Sequence, residues 1–254
     1  MTKNKPIKIY ISPANHYKPY IIKGYTEKEQ MDKLAPFLVR ELERYEGVQP
    51  ILTTVYNADR QYTGRPEEAK HLGCNVYVAL HSNAGGGKGA CLFYHPSYPL
   101  SKALALGLVG ELNRICPIKS NRAVQPAIYA WDTGAFNFGE LRVPAEYGIA
   151  PVLIEHEFHD TLEGAQWIIN NLKEIAKADA RAIAEVLGLK LKNVQGDVNG
   201  DGESDNLDAA RILMYDAGLA ELTDSQKQAA DVNGDGTADN LDASEILKKD
   251  AGIE

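Results

Sequence analysis

Two histidines and two glutamates, His16, His81, Glu27 and Glu155, stand where their side chains could share a metal ion and hydrolyse a bond with its help. His16 follows the apolar run Ile7–Ile11, and His81 directly follows Val76–Leu80 in Val-Ala-Leu-His-Ser-Asn-Ala. Glu155 follows Pro151–Ile154 in Pro-Val-Leu-Ile-Glu-His-Glu-Phe, and Glu27 opens a helical pattern. Singly, each has an ordinary role: a hydrogen-bonded strand-end histidine, a solvated end of an apolar run, a first-turn acid favoured by the helix dipole. Together, two imidazoles and a carboxylate converging from one rim, with a second carboxylate beside them, make a three-ligand zinc site with an open fourth position and a base for its water. His156-Glu157-Phe158-His159 is not the His-Glu-x-x-His helix motif, because its histidines are three apart and follow a strand.

The elements that must position these residues alternate. Strands are expected at Ile7–Ile11, Ile51–Tyr56, Val76–Leu80, Ala90–Tyr94 and Pro151–Ile154, and helices at about Glu27–Tyr45, Pro66–Leu72, Ser101–Ile115 and Leu162–Leu187. This is an α/β pattern with a mostly parallel sheet flanked by helices, and ligands on such sheets sit at the carboxyl ends of the strands. It defines a first domain over residues 1–190.

Residues 195–254 read as a second, all-α domain built from a duplicated loop and helix. The loops are Asp197-Val-Asn199-Gly-Asp201-Gly202-Glu203-Ser-Asp205-Asn-Leu-Asp208 and Asp231-Val-Asn233-Gly-Asp235-Gly236-Thr237-Ala-Asp239-Asn-Leu-Asp242. Oxygen-bearing residues at positions 1, 3, 5, 9 and 12, with Glu203 and Thr237 at position 7 and glycine at the sharp turn, are what a hard cation with 6–8 oxygen ligands demands. Two calcium ions are expected. Each loop leads into the same helical phrase, with Ile212-Leu213 and Ile246-Leu247 inside and Gly218 and Gly252 as stops.

The net charge of -8 divides unevenly: residues 195–254 carry 15 acids against 4 bases, and residues 1–194 carry 20 against 23. The slightly basic first domain is compatible with an acidic polymer such as a bacterial wall. Nucleic-acid binding and membrane insertion are not expected. Cys74, Cys91 and Cys116 are odd in number and lack metal-ligand spacing, so buried, reduced thiols are expected. The N-terminus has no apolar stretch long enough for a signal peptide, so synthesis in a bacterial cytosol and action on the wall after release are expected, with secretion if the chain is trimmed.

His16, Glu27, His81 and Glu155, in that order, resemble the zinc-dependent N-acetylmuramoyl-L-alanine amidases of the type 3 family from residue 7 to about 188. By that resemblance His16, Glu27 and His81 hold one catalytic zinc, and Glu155 acts in catalysis. Leu34-Ala35 after the glutamate, Asn83-Ala84 after the second histidine and Phe158 after Glu155 also fit. Glu29 is a competing ligand, but it lies about 200° around the helix axis from Glu27. The first histidine departs from the family in lacking flanking glycines, in Pro13-Ala-Asn-His16-Tyr. Glu157-Phe158-His159-Asp160 also departs, with His159 placed to contact substrate or to cap the next helix.

The implied reaction is hydrolysis of the amide between N-acetylmuramic acid and L-alanine in peptidoglycan, by a phage endolysin in preference to a host autolysin. A dockerin-bearing polysaccharide esterase or deacetylase is the competing reading. Residues 195–254 resemble a type I dockerin, which implies a protein partner or self-association. Asn206-Leu207 and Asn240-Leu241 stand where dockerins carry partner-reading residues.

Overall fold

The structure, a computed structural model, describes residues 5–118 and 138–253. It divides into two compact units, Met1–Lys190 and Leu191–Glu254.

In the first unit, β1 (Ile7–Pro13), β2 (Val48–Leu52), β3 (Val76–Asn83), β4 (Cys91–Tyr94) and β5 (Ala150–Phe158) form one sheet in the order β2-β1-β3-β5-β4. All neighbours run parallel except β4, which pairs antiparallel with β5. The fold is therefore α/β with a mostly parallel sheet, as expected. β2 lies at 48–52, N-terminal to the expected 51–56. Pro50 explains the difference: it removes a ladder donor, which an edge strand tolerates, and β2 is an edge.

Side chains alternate across the sheet. Ile9, Ile11, Val78, Leu80, Val152 and Ile154 pack on one face with Met31 and Leu34 of α1 (Glu27–Glu43), Leu104 and Leu108 of α3 (Pro99–Ile115), and Ile175 and Ile183 of α6 (Leu172–Leu187). Tyr10, Tyr77, Ala79 and Leu153 pack on the other with Ala69 of α2 (Gly64–His71) and Leu141 of α4 (Gly139–Glu146). His81 and Glu155 continue the second set, and His156 continues the first.

The expected helix over 162–187 is two helices, α5 (Leu162–Asn170) and α6, broken at Asn171. Its side chain donates to the Trp167 carbonyl at 2.7 Å, a local bond that competes with helix continuation. The three cysteines are buried.

The second unit contains α7 (Asn206–Asp216), α8 (Asp224–Ala230) and α9 (Asn240–Asp250). Its core repeats with the sequence: Ala209 and Ile212 of α7 meet Ala243 and Ile246 of α9, with Val198, Leu222 and Ala230. α8, between the two repeats, was not among the expected elements. It is fixed by a reciprocal cap in which Thr223 accepts from the Gln226 N–H and Gln226 accepts from Thr223. Among the described residues no helix is long and apolar enough to cross a membrane.

Candidate metal and catalytic site

The strands run on past their expected ends, so His81 and Glu155 lie within the C-terminal parts of β3 and β5, not after them, and His16 lies in the chain beyond β1. The chain leaving β1 is pinned without glycine: the Ala14 N–H donates to the Leu80 carbonyl at 2.8 Å, and Asn15 donates to the Tyr56 carbonyl at 2.9 Å while its own N–H reaches Gln61. These bonds give the glycine-free loop the path that presents His16. On the neighbouring strands, His81 and Glu155 are direct register partners.

Glu27 reaches the rim as the first residue of α1. Thr26 caps that helix by accepting the Glu29 N–H at 3.3 Å, an arrangement whose loss costs about 1 kcal/mol. The cap settles which glutamate faces inward: Glu27 is buried and Glu29 is exposed.

Glu27 joins the two histidines. One carboxylate oxygen lies 3.0 Å from His16 Nε2, and the other lies 3.1 Å from His81 Nδ1 and accepts the Ser82 N–H. One ligand atom from each of His16, Glu27 and His81 falls within 4.8 Å of the others. Neighbouring ligands around a tetrahedral zinc with bonds of roughly 2.0–2.1 Å lie about 3.3 Å apart. The donor types, two imidazole nitrogens and a carboxylate, and the spacing both fit that ion.

His16, Tyr62, His81, Glu140 and Glu155 line a cavity of about 170 Å³. Glu155 shows part of its side chain there, yet its Oε2 is buried with no hydrogen-bond partner. Burial, reinforced by the Glu27 and Glu140 charges and opposed by His81 and His156, pushes its carboxyl up to about 7. That is the value of a group able to take and return a proton near neutrality.

Burial alone would raise Glu27, but hydrogen bonds to His16 and His81 outweigh it and hold the carboxyl well below its usual range. Burial would likewise lower His81, but hydrogen bonds and charge from Glu140 and Glu27 raise it well above the ordinary imidazole value. Glu140 is held below its usual range against burial by His81, Ser12 and Gln61.

These shifts set how the metal-free chain responds to pH. The contribution of Glu27 and Glu140 is present above about pH 4.5 and lost as pH falls through their lowered folded values. That of His81 is complete below about 6.5 and lost as pH rises through its raised folded value, while ionising Glu155 between about 4.5 and 7 is an added cost. With chelator present, the thermal midpoint of this unit is expected to peak on the acid side of neutrality and fall toward pH 9. A midpoint still rising from pH 6.5 to 9 would contradict these shifts.

The residues after Glu155 build supports. His156 lies fully buried between the His81 carbonyl at 2.9 Å and Asp179 of α6 at 2.8 Å. His159 is buried and stacked on Tyr20, and Ser82 links the two at 2.9 and 3.0 Å. It neither faces the cavity nor caps α5, whose cap is Thr161. Glu157 accepts from the Gly89 N–H, and Asp160 accepts from Gly85 and Gly86, so both hold the glycine-rich loop after β3. Gly87 must be glycine, since a Cβ there would meet the Phe158 ring at 2.2 Å.

In the second unit, the carboxylates of Asp197, Asp201 and Asp208 gather within 4.8 Å. Gly202 and Gly236 turn at φ 86° and 91°, the left-handed region that favours glycine. Asn199 accepts the Asp201 N–H and Asn233 the Asp235 N–H, each at 2.8 Å. Asp205 and Asp239 also cap α7 and α9, in reciprocal boxes with Asp208 and Asp242. At position 7, where such loops offer the backbone carbonyl of Glu203 or Thr237 to the ion, the Thr237 hydroxyl also donates to Asp235 at 2.6 Å. Asp231 Oδ1 is buried without a partner, an orphan that a calcium ion would satisfy. The residues fit the expected ions in both units.

A family model described as N-acetylmuramoyl-L-alanine amidase matches residues 16–185, and one described as dockerin type I domain matches residues 195–249. Among solved structures, the amidase AmiC2 of Nostoc punctiforme is similar at 20% identity and TM-score 0.57, covering 72% of this chain and 97% of that one. The catalytic domain of the amidase CwlV from Bacillus (Paenibacillus) polymyxa var. colistinus is similar at 19% identity and TM-score 0.59, covering 73% and 99%. The CwlD amidase of Clostridioides difficile, solved in complex with the GerS lipoprotein, is similar at 22% identity and TM-score 0.56, covering 73% and 99%. At these identities the likeness is one of fold. No curated protein sequence matches the chain.

Proposed function

The chain belongs to the N-acetylmuramoyl-L-alanine amidase family, and we propose that it uses one zinc ion to hydrolyse the amide between N-acetylmuramic acid and the L-alanine of the peptidoglycan stem. The observation that carries this reading is the Glu27 carboxylate bridging His16 and His81, with the unpartnered Oε2 of Glu155 beside the same cavity.

His16 Nε2, Glu27 and His81 Nδ1 would hold the ion. Zinc bound there supplies a Lewis acid that polarises the scissile carbonyl and lowers the pKa of its water from ~16 to roughly 7. Glu155 takes the proton from the attacking water at its carboxylate. The same carboxyl then delivers that proton to the departing alanine nitrogen, because an amine leaves only once protonated. No covalent intermediate on the chain is required.

End-group chemistry on digested walls tests the reaction. The expected result is a rise in free α-amino groups on L-alanine with no new reducing sugar ends and no acetate. Release of acetate or reducing ends without new amines would overturn it.

Two calcium ions are proposed for the second unit, held by Asp197, Asn199, Asp201, Asp205 and Asp208, and by Asp231, Asn233, Asp235, Asp239 and Asp242. Each loop packs four aspartates closely, so removing the counter-charge leaves them repelling one another. A calcium-selective chelator is therefore expected to make residues 191–254 sensitive to protease while residues 1–190 stay resistant and hydrolysis persists. Undiminished protection of both units in chelator would contradict the assignment. The dockerin match supports a protein partner for this unit.

A further inference from the structure

Glu140 has no role in the chemistry above, yet it is among the most tightly held side chains near the site. It lies on α4 at 1% exposure. One oxygen accepts from Ser12 Oγ at 2.5 Å and Tyr77 OH at 3.1 Å, and the other from Gln61 Nε2 at 2.7 Å. That second oxygen also lies 2.8 Å from His81 Nε2. A carboxylate has about four lone-pair sites, and all are used, so Glu140 has none left for a metal ion. Its charge is answered through Ser12: buried Arg65 donates to Ser12 Oγ at 3.0 Å, and Ser12 donates onward to Glu140.

We propose that Glu140 is the positioning residue of the metal centre, holding His81 with Nε2–H turned to its carboxylate so that Nδ1 faces Glu27 and His16 as the donor to the ion. The inference rests on the zinc reading above. An imidazole that ligates through one nitrogen must carry its proton on the other, and an acceptor placed there fixes both ring angle and tautomer. Glu140 is such an acceptor, anchored from β1, β3 and the segment around Gln61. His81 is thereby gripped from both sides, by α1 through Glu27 and by α4 through Glu140.

The test uses the full chain and two variants. Glu140→Gln keeps the volume but removes the charge, and Tyr77→Phe removes one donor to Glu140 while leaving it in place. Zinc affinity, read by competition with a chromophoric chelator, is expected to weaken about 10–100-fold in Glu140→Gln and by a smaller factor in Tyr77→Phe. The ¹⁵N resonances of zinc-loaded His81 are expected to show an Nε2–H ring in the parent and a shifted or mixed pattern in Glu140→Gln. A merely structural role would lower the thermal midpoint of the metal-free variants without moving those resonances.

Unchanged zinc affinity and unchanged His81 resonances in both variants would overturn the proposal. If Glu140→Gln does not fold, Tyr77→Phe decides by the same two readouts. If the parent binds no zinc, the zinc reading fails separately. The downfield Nε2–H proton of metal-free His81 then decides on Glu140: moved upfield in the variants it supports the proposal, and unmoved it refutes it.

Discussion

Replacing Glu155 by glutamine is expected to leave zinc bound and to reduce release of L-alanine amino groups from peptidoglycan by about 10²–10⁴-fold. Glutamine has the same shape but no proton to exchange near neutral pH. The three residues that fit the ion, His16, Glu27 and His81, are untouched by the change. Glu155 contributes no hydrogen bond through Oε2, so no partner is orphaned, and β5 keeps its register with β3 and β4. In the metal-free chain, where burial opposes ionisation of Glu155, the substitution stabilises the fold at pH 8. Zinc per chain and initial rate on the same preparation check this. A zinc-replete Glu155→Gln chain at full rate would remove Glu155 from catalysis.

Replacing His81 by alanine is expected to abolish both metal and turnover. His81 is 5% exposed and lies between two buried carboxylates, at 3.1 Å from Glu27 and 2.8 Å from Glu140. Removing the imidazole takes away one of three ligands and leaves two anions facing each other across the gap. Breaking a buried charged pair in this way costs about 3–5 kcal/mol, a large part of a domain's stability. The soluble fraction of His81→Ala should therefore carry little zinc, melt at a lower temperature and show background hydrolysis. Stoichiometric zinc in that variant would place the ion elsewhere.

The difference between these two expectations follows from features visible in the sequence. Val76–Leu80 and Pro151–Ile154 are apolar on both faces, which marks each as a buried strand, and the first polar residues reached, His81 and Glu155, pair within the last part of the ladder. The Thr26 cap marks where α1 begins, and so selects Glu27 over Glu29. The acidic loops were legible because the residues proposed to hold calcium are local, spaced within twelve residues.

Glu140 was not legible. It sits in an ordinary short helix, and its significance comes from Ser12, Gln61, Tyr77 and His81, which are distant in sequence and meet only in the folded sheet. His159 was left open for a related reason: a histidine close to Glu155 in sequence looks available, but strand and turn geometry fold it back onto Tyr20. β2 was shifted because Pro50 reads as a break until its edge position is known. The interruption at Asn171 was hidden in a continuous helical pattern, because apolar periodicity carries through both α5 and α6.

Anomalous diffraction from crystals of the zinc-loaded chain, recorded on both sides of the zinc absorption edge, tests the metal centre most directly. One peak is expected in the first unit, within about 2.0–2.2 Å of His16 Nε2, a Glu27 oxygen and His81 Nδ1, with the Glu155 carboxylate facing its open side. Absence of a peak there, or a peak bound without His16 or His81, would contradict the assignment of this site as a zinc hydrolase centre.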